Sequence, residues 1–166
     1  MVIGTSCLLV GQSENPLASA MGITVTMPGT SHSGPLPPLT EEQTRVRDGL
    51  TKDLERLAGE IGERNLSLPI AYAEAARFVE GRLTDASHEV RRQTYEVKGR
   101  PCVNLVAEIP GKGRADEIVV IGAHYDSAPW TPGANDNGSG TVPCQTAWKA
   151  RAGQTTGRSG SAVIPV

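Results

Sequence analysis

The chain reads as an α/β protein, the N-terminal portion of a doubly wound, mostly parallel sheet. Three observations predict this. Two amphipathic helical stretches come first, between residues 40 and 85. Three strand-like runs follow between 90 and 123, and the last of these, Ile118–Ala123, is apolar throughout. A strand with that composition belongs at the centre of an α/β sheet, buried on both faces. Polar residues with chemical potential, His124 and Asp126, stand immediately past it, and in open α/β sheets ligands gather at the carboxyl ends of the strands.

Residues 1–39 read as a leader without regular structure. Five of the 12 prolines lie there, and Gly34-Pro35-Leu36-Pro37-Pro38 favours extended polyproline conformation, a strap or tail more than a ligand for a proline-binding module. The mildly apolar Ile3–Val10 and the small residues Ala18-Ser19-Ala20 resemble parts of an export signal. The first basic residue, however, is Arg45, so the basic start of such a signal is missing. Localisation stays open on this reading, with the cytoplasm favoured over export. No apolar run reaches the ~18 residues of a membrane span.

At Thr40 the character changes. Thr40-Glu41-Glu42-Gln43 forms a capping box, in which the threonine hydroxyl and the Gln43 side chain each satisfy a backbone amide. Val46, Leu50, Leu54, Leu57 and Ile61 then fall on one face, predicting a helix over 40–61 with Gly62 as its stop. Pro69 suits the first turn of a second helix. Ala71, Ala75, Phe78, Val79 and Leu83 make its apolar side, and its end is expected near Asp85. Neither helix carries residues that suggest chemistry.

Val90–Val97 is charged and β-prone, which suits an edge strand. Lys98-Gly99-Arg100-Pro101 supplies a turn. Val103, Leu105, Ala107 and Ile109 alternate with Asn104, Val106 and Glu108, predicting a strand with two unlike faces. Pro110-Gly111-Lys112-Gly113 turns the chain into Ile118–Ala123.

Composition narrows the function classes. A net charge of −2 and an ordinary hydrophobic share of 38% point to no nucleic-acid partner. With 19 glycines and 12 prolines, much of the chain is loop. Cys7, Cys102 and Cys144 lie far apart and are odd in number, so they read as small apolar residues, not as ligands or a disulfide framework.

Chemistry concentrates after Ile118–Ala123. A first-row metal such as Zn²⁺ accepts imidazole nitrogen and carboxylate oxygen. His124 stands at the strand end. Asp126, two residues on, projects to the same side in an extended chain, where it can ligate or hold the histidine tautomer. Asp136 follows within a glycine-rich loop that can fold its carboxylate back to the imidazole. His32 and His88 lack such a setting and read as ordinary histidines.

Gly122-Ala123-His124-Tyr125-Asp126-Ser127, taken with Pro132-Gly133-Ala134-Asn135-Asp136-Asn137-Gly138-Ser139-Gly140, closely resembles the family-28 metallopeptidases, the di-zinc aminopeptidase group. Leu57–Asn65 is similar to that family's first helix and its exit, and Asn104–Gly111 to its second strand. The resemblance covers about residues 45–142. It implies a zinc-exopeptidase fold in which His124 binds one zinc and Asp136 bridges two. The resemblance further implies that Asp126 steadies His124 and that the Asp136–Asn137 peptide is cis. It also implies a peptide substrate, a metal-activated bridging water and a glutamate general base.

In the family a long apolar helix follows, then a Glu-Glu pair, a further acidic ligand and a distant histidine. From Asn137 to Val166 this chain has no Asp, Glu or His, and its only charged residues there are Lys149, Arg151 and Arg158. Pro143 falls early in the expected helix, Gln145–Ser161 has no apolar stripe, and residues 143–166 are expected to be a non-homologous, disordered tail. They read as a frameshifted or mispredicted end, and the central strand is left uncovered on one side. The expected organisation is a leader over 1–39, a partial peptidase domain over 40–142 and the tail. The expected function is a fragment of a zinc-dependent aminopeptidase, with weak or no zinc binding and no turnover because the general base is missing. The alternatives are a degenerate, non-catalytic binding module and a single-zinc glutaminyl cyclase of the same fold.

Overall fold

The computed structural model describes residues 32–85, 89–111, 113–150 and 158–164. Cys7, the signal-like segments and His88 lie outside them. The chain divides into Met1–Pro38 and Leu39–Val166. Of the first unit, residues 32–38 are exposed and without regular structure.

In the second unit, helix α1 spans Glu41–Leu54 and runs on as a π-helical segment, Glu55–Ile61. The capping box forms as the residues require: the Gln43 amide donates to Thr40 Oγ1 at 3.2 Å, and the Thr40 amide donates to Gln43 Oε1 at 2.9 Å. Gly62 ends the helix at φ 73°, in the left-handed region. Of the predicted stripe, Leu57 is fully buried and Leu50, Leu54 and Ile61 pack against the core. Val46 stays largely exposed. Helix α2, Pro69–Thr84, opens on its proline and buries Tyr72, Ala75, Ala76, Val79 and Leu83. An Arg82–Asp53 ion pair ties α2 to α1.

Strands β1 (Val90–Val97), β2 (Arg100–Ile109) and β3 (Arg114–Gly122) follow. β1 is an exposed edge strand paired antiparallel to β2, as its charges predict. β2 is more buried than its alternation suggests. Cys102 and Val106, on the face opposite Val103, Leu105, Ala107 and Ile109, are buried as well.

The stretch after 142 departs from the expectation of a disordered tail. Helix α3 spans Ser139–Ala150, and strand β4 spans Arg158–Ile164. Pro143 is tolerated because it lies near the helix start on the exposed side, while Thr141, Val142 and Cys144 are buried. β4 inserts between β2 and β3, antiparallel to the first and parallel to the second, giving the order β1-β2-β4-β3. A strand paired on both sides is held by its backbone bonds and needs little side-chain patterning, so Arg158–Ile164 carries no apolar stripe.

Two corrections follow from that insertion. Two of the three strand pairings are antiparallel, so the described sheet is mixed and not mostly parallel. β3 is also no buried central strand: it is the sheet's edge, with Ile118 65%, Val119 44%, Val120 62% and Ile121 38% exposed. Its composition is that of a central strand. What makes such a strand buried is a neighbour on each edge and cover on each face, and among the described residues only β4 lies beside it.

Candidate metal centre

β3 ends at Gly122, and the chain leaves it extended, so His124 and Asp126 point one way and Tyr125 the other. Tyr125 is fully buried. Its hydroxyl donates to the Val103 carbonyl at 2.9 Å and shares a 2.8 Å hydrogen bond with the Tyr72 hydroxyl, which in turn accepts from the Val103 amide at 3.2 Å. The two rings stack with centroids 5.4 Å apart. Burial pushes both phenols above the ordinary tyrosine range, Tyr125 the further. This anchor on β2 and α2 sets the height at which the flanking His124 and Asp126 emerge.

His124 and Asp126 are partly exposed and joined, His124 Nδ1 lying 2.8 Å from Asp126 Oδ1. A carboxylate accepts and does not donate, so the bond to Asp126 requires a proton on Nδ1 and, in the singly protonated tautomer, turns the Nε2 lone pair away from Asp126. That nitrogen faces Asp136 Oδ1 at 3.0 Å. Two acceptors this close require a cation between them, either a proton on the ring or a metal ion.

Asp136 reaches this place on an irregular turn, Ala134–Gly138, whose Asp136 and Asn137 are non-helical and joined by a cis peptide, as the resemblance implies. The turn is closed at both ends. Gly133 has φ 59°, and a Cβ there would lie 2.6 Å from that of Ser127. At Gly140 a Cβ would collide with the Asn137 amide. Thr141 Oγ1 bonds the carbonyls of His124 at 2.7 Å and Asn137 at 3.0 Å, joining the two segments at the start of α3.

The structure therefore brings His124, Asp126 and Asp136 together. The pair His124 Nε2 and Asp136 fits part of a zinc shell, with Asp126 fitting the role of orienting carboxylate. It does not fit the whole, since a catalytic zinc takes three protein ligands. Among the described residues no group of three or more His, Cys, Asp and Glu can hold a metal ion. Lys149, Arg151 and Arg158, the charged residues after Asn137, lie outside the described side chains. His32 is exposed.

Sequence reasoning assigned Arg64 no role. The structure buries it completely beside the site. Its Nε donates to the Tyr125 carbonyl at 2.6 Å, Nη2 to Gly133 at 2.9 Å, and Nη1 to Gly62 at 2.9 Å and to Pro132. Burial pulls its pKa below the arginine range, an effect the nearby Asp126 carboxylate opposes. The sequence signal, an arginine just past a helix-stopping glycine, resembles any solvated charge.

Residues 104–155 match the model described as Peptidase family M28. The match runs past Val142, where the resemblance was expected to stop. Leupeptin-inactivating enzyme 1 of Streptomyces exfoliatus is 30% identical over 125 residues, which are 75% of this chain and 28% of that protein. Aminopeptidase YwaD of Bacillus subtilis is 72% identical over 25 residues, 15% of this chain and 6% of that one. Among solved structures, a zinc aminopeptidase from Bacillus subtilis superposes with a TM-score of 0.65 at 11% identity, over 70% of this chain and 60% of that one. The glutaminyl cyclase of Tannerella forsythia does so with a TM-score of 0.60 at 22% identity, over 70% and 45%. Both structural likenesses show the α/β fold alone. The chain spans well under two thirds of the curated relatives it matches, 28% in the first case.

Proposed function

We propose, from the premise that this chain is a partial member of peptidase family M28, that residues 40–142 are part of the catalytic domain of a zinc-dependent exopeptidase acting on the N-terminal bonds of peptides. Residues 1–39 are a leader to it. The observation that carries the reading is the opposition of His124 Nε2 and Asp136 Oδ1 at 3.0 Å, with Nδ1 tied to Asp126. His124 and Asp136 are the metal ligands. Asp126 holds the tautomer that leaves Nε2 free. In the complete family site two zinc ions supply Lewis-acid polarisation of the scissile carbonyl and an activated water. This chain's own donor set is incomplete, and Asn137–Val166 offers no carboxylate base.

Both the aminopeptidase and the glutaminyl cyclase share the fold, so the fold does not separate them. The 72% identity to an aminopeptidase over the segment matched favours the peptidase.

The test uses the full chain. Zinc titrated in by calorimetry is expected to bind weakly and to lose its binding in His124→Ala and Asp136→Asn. Aminoacyl p-nitroanilides are expected to be left intact. Zinc binding indifferent to both substitutions would refute the ligand assignment. Hydrolysis abolished by His124→Ala would refute the absence of turnover.

A further inference from the structure

We infer that Arg64 is a positioning residue, whose guanidinium, together with its backbone amide bonded to Ser127, holds the His124 segment and the Asp136 turn at a fixed separation. The inference rests on the metal-ligand reading above and extends it to a residue that touches no metal.

The geometry is specific. Among the described residues the side chain bonds only main-chain carbonyls, and these belong to three separate stretches: the helix exit at Leu57 and Gly62, Tyr125 between His124 and Asp126, and Pro132–Gly133 at the entry to the Asp136 turn. Its backbone adds two more ties. The Arg64 amide donates to Ser127 Oγ at 3.0 Å, and the Ser127 amide donates to the Arg64 carbonyl at 3.0 Å. Thr141 joins the two ligand segments on their α3 side, and Arg64 joins them on the α1 side.

A guanidinium is suited to this because its N–H groups diverge in one rigid plane, so Nε bonds Tyr125 while Nη2 bonds Gly133 and Nη1 bonds Gly62 and Pro132. An ammonium carries three donors on a single atom, fewer than the five carbonyls that the Arg64 side chain bonds. A role in packing alone would be met by an apolar side chain of like volume, without burying a charge.

The test compares the full chain with Arg64→Lys and Arg64→Met. Amide hydrogen exchange, read without metal, is expected to speed up selectively over residues 124–138 while β2 keeps its protection. Cobalt(II), followed by its visible absorption, is expected to bind about 10–100-fold more weakly in both variants. Exchange that is unchanged, or that rises equally in β2, overturns the inference, as does cobalt affinity equal to the parent's. If the parent binds no cobalt, the metal-ligand reading fails by itself, and the exchange pattern still decides on Arg64. Ser127→Ala, which removes only the hydroxyl that accepts the Arg64 amide, serves if the Arg64 variants do not fold. It is expected to loosen residues 124–138 alone, and no change there overturns the inference.

Discussion

Tyr125→Phe tests how the core holds the site at its height. The ring is 0% exposed and its stacking on Tyr72 needs no hydroxyl, so phenylalanine keeps the packing. What is lost is the bond to the Val103 carbonyl at 2.9 Å and the 2.8 Å bond between the hydroxyls. A net hydrogen bond contributes about 1 kcal/mol, and a buried acceptor stripped of its partner costs about 1–3 kcal/mol. The loss should be about 2 kcal/mol. With a urea slope of about 2 kcal/mol per molar for a small domain, the midpoint followed by circular dichroism falls by about 1 M. Tyr72→Phe removes the shared bond from the other side, so the double variant should cost about 1 kcal/mol less than the sum of the singles. An unchanged midpoint for Tyr125→Phe would refute the reasoning, and strict additivity would refute the shared bond.

The same phenols predict an alkaline limit. Both pKa values are raised in the folded state, so the native protein keeps protons that the unfolded chain releases above about pH 10. Stability is whole below that pH and falls above it, by about 1.4 kcal/mol per unit for each phenol that stays protonated; urea midpoints that hold constant from pH 9 to 11 would contradict this. Gln145 is buried, and neither of its amide atoms has a partner among the described residues, so Gln145→Leu should raise stability by about 1–3 kcal/mol, read as a higher thermal midpoint. The exposed apolar edge at Ile118–Ile121 should make the chain self-associate with concentration, and Val120→Lys should suppress it in sedimentation velocity. A parent chain that stays monomeric at high concentration would count against that reading.

Local chemistry was legible where few alternatives existed. Thr40 and Gln43 specify their cap, Gly62 its left-handed stop, and Pro69 the start of α2, because each depends on residues within one turn. Tertiary pairing was not legible. β4 shows no pattern of its own, since its place comes from the open edges of β2 and β3. The apolar run at 118–121 suggested a centre and occupies an edge, because burial is decided by neighbours and not by the strand itself. Gln145 and Val46 likewise take exposures opposite to their polarity.

For the site, the sequence by itself determined the donors: one imidazole and two carboxylates at a strand end and in a glycine-rich turn, a set whose chemistry suits a metal and resembles one peptidase family. Only the tertiary structure decided how they meet. His124 and Asp136, 12 residues apart in the chain, are set 3.0 Å apart by Thr141, the Tyr72–Tyr125 anchor and the buried fork of Arg64. The physical reason is range: a side chain's donor and acceptor capacity is its own, while the distance between two such groups belongs to everything packed around them.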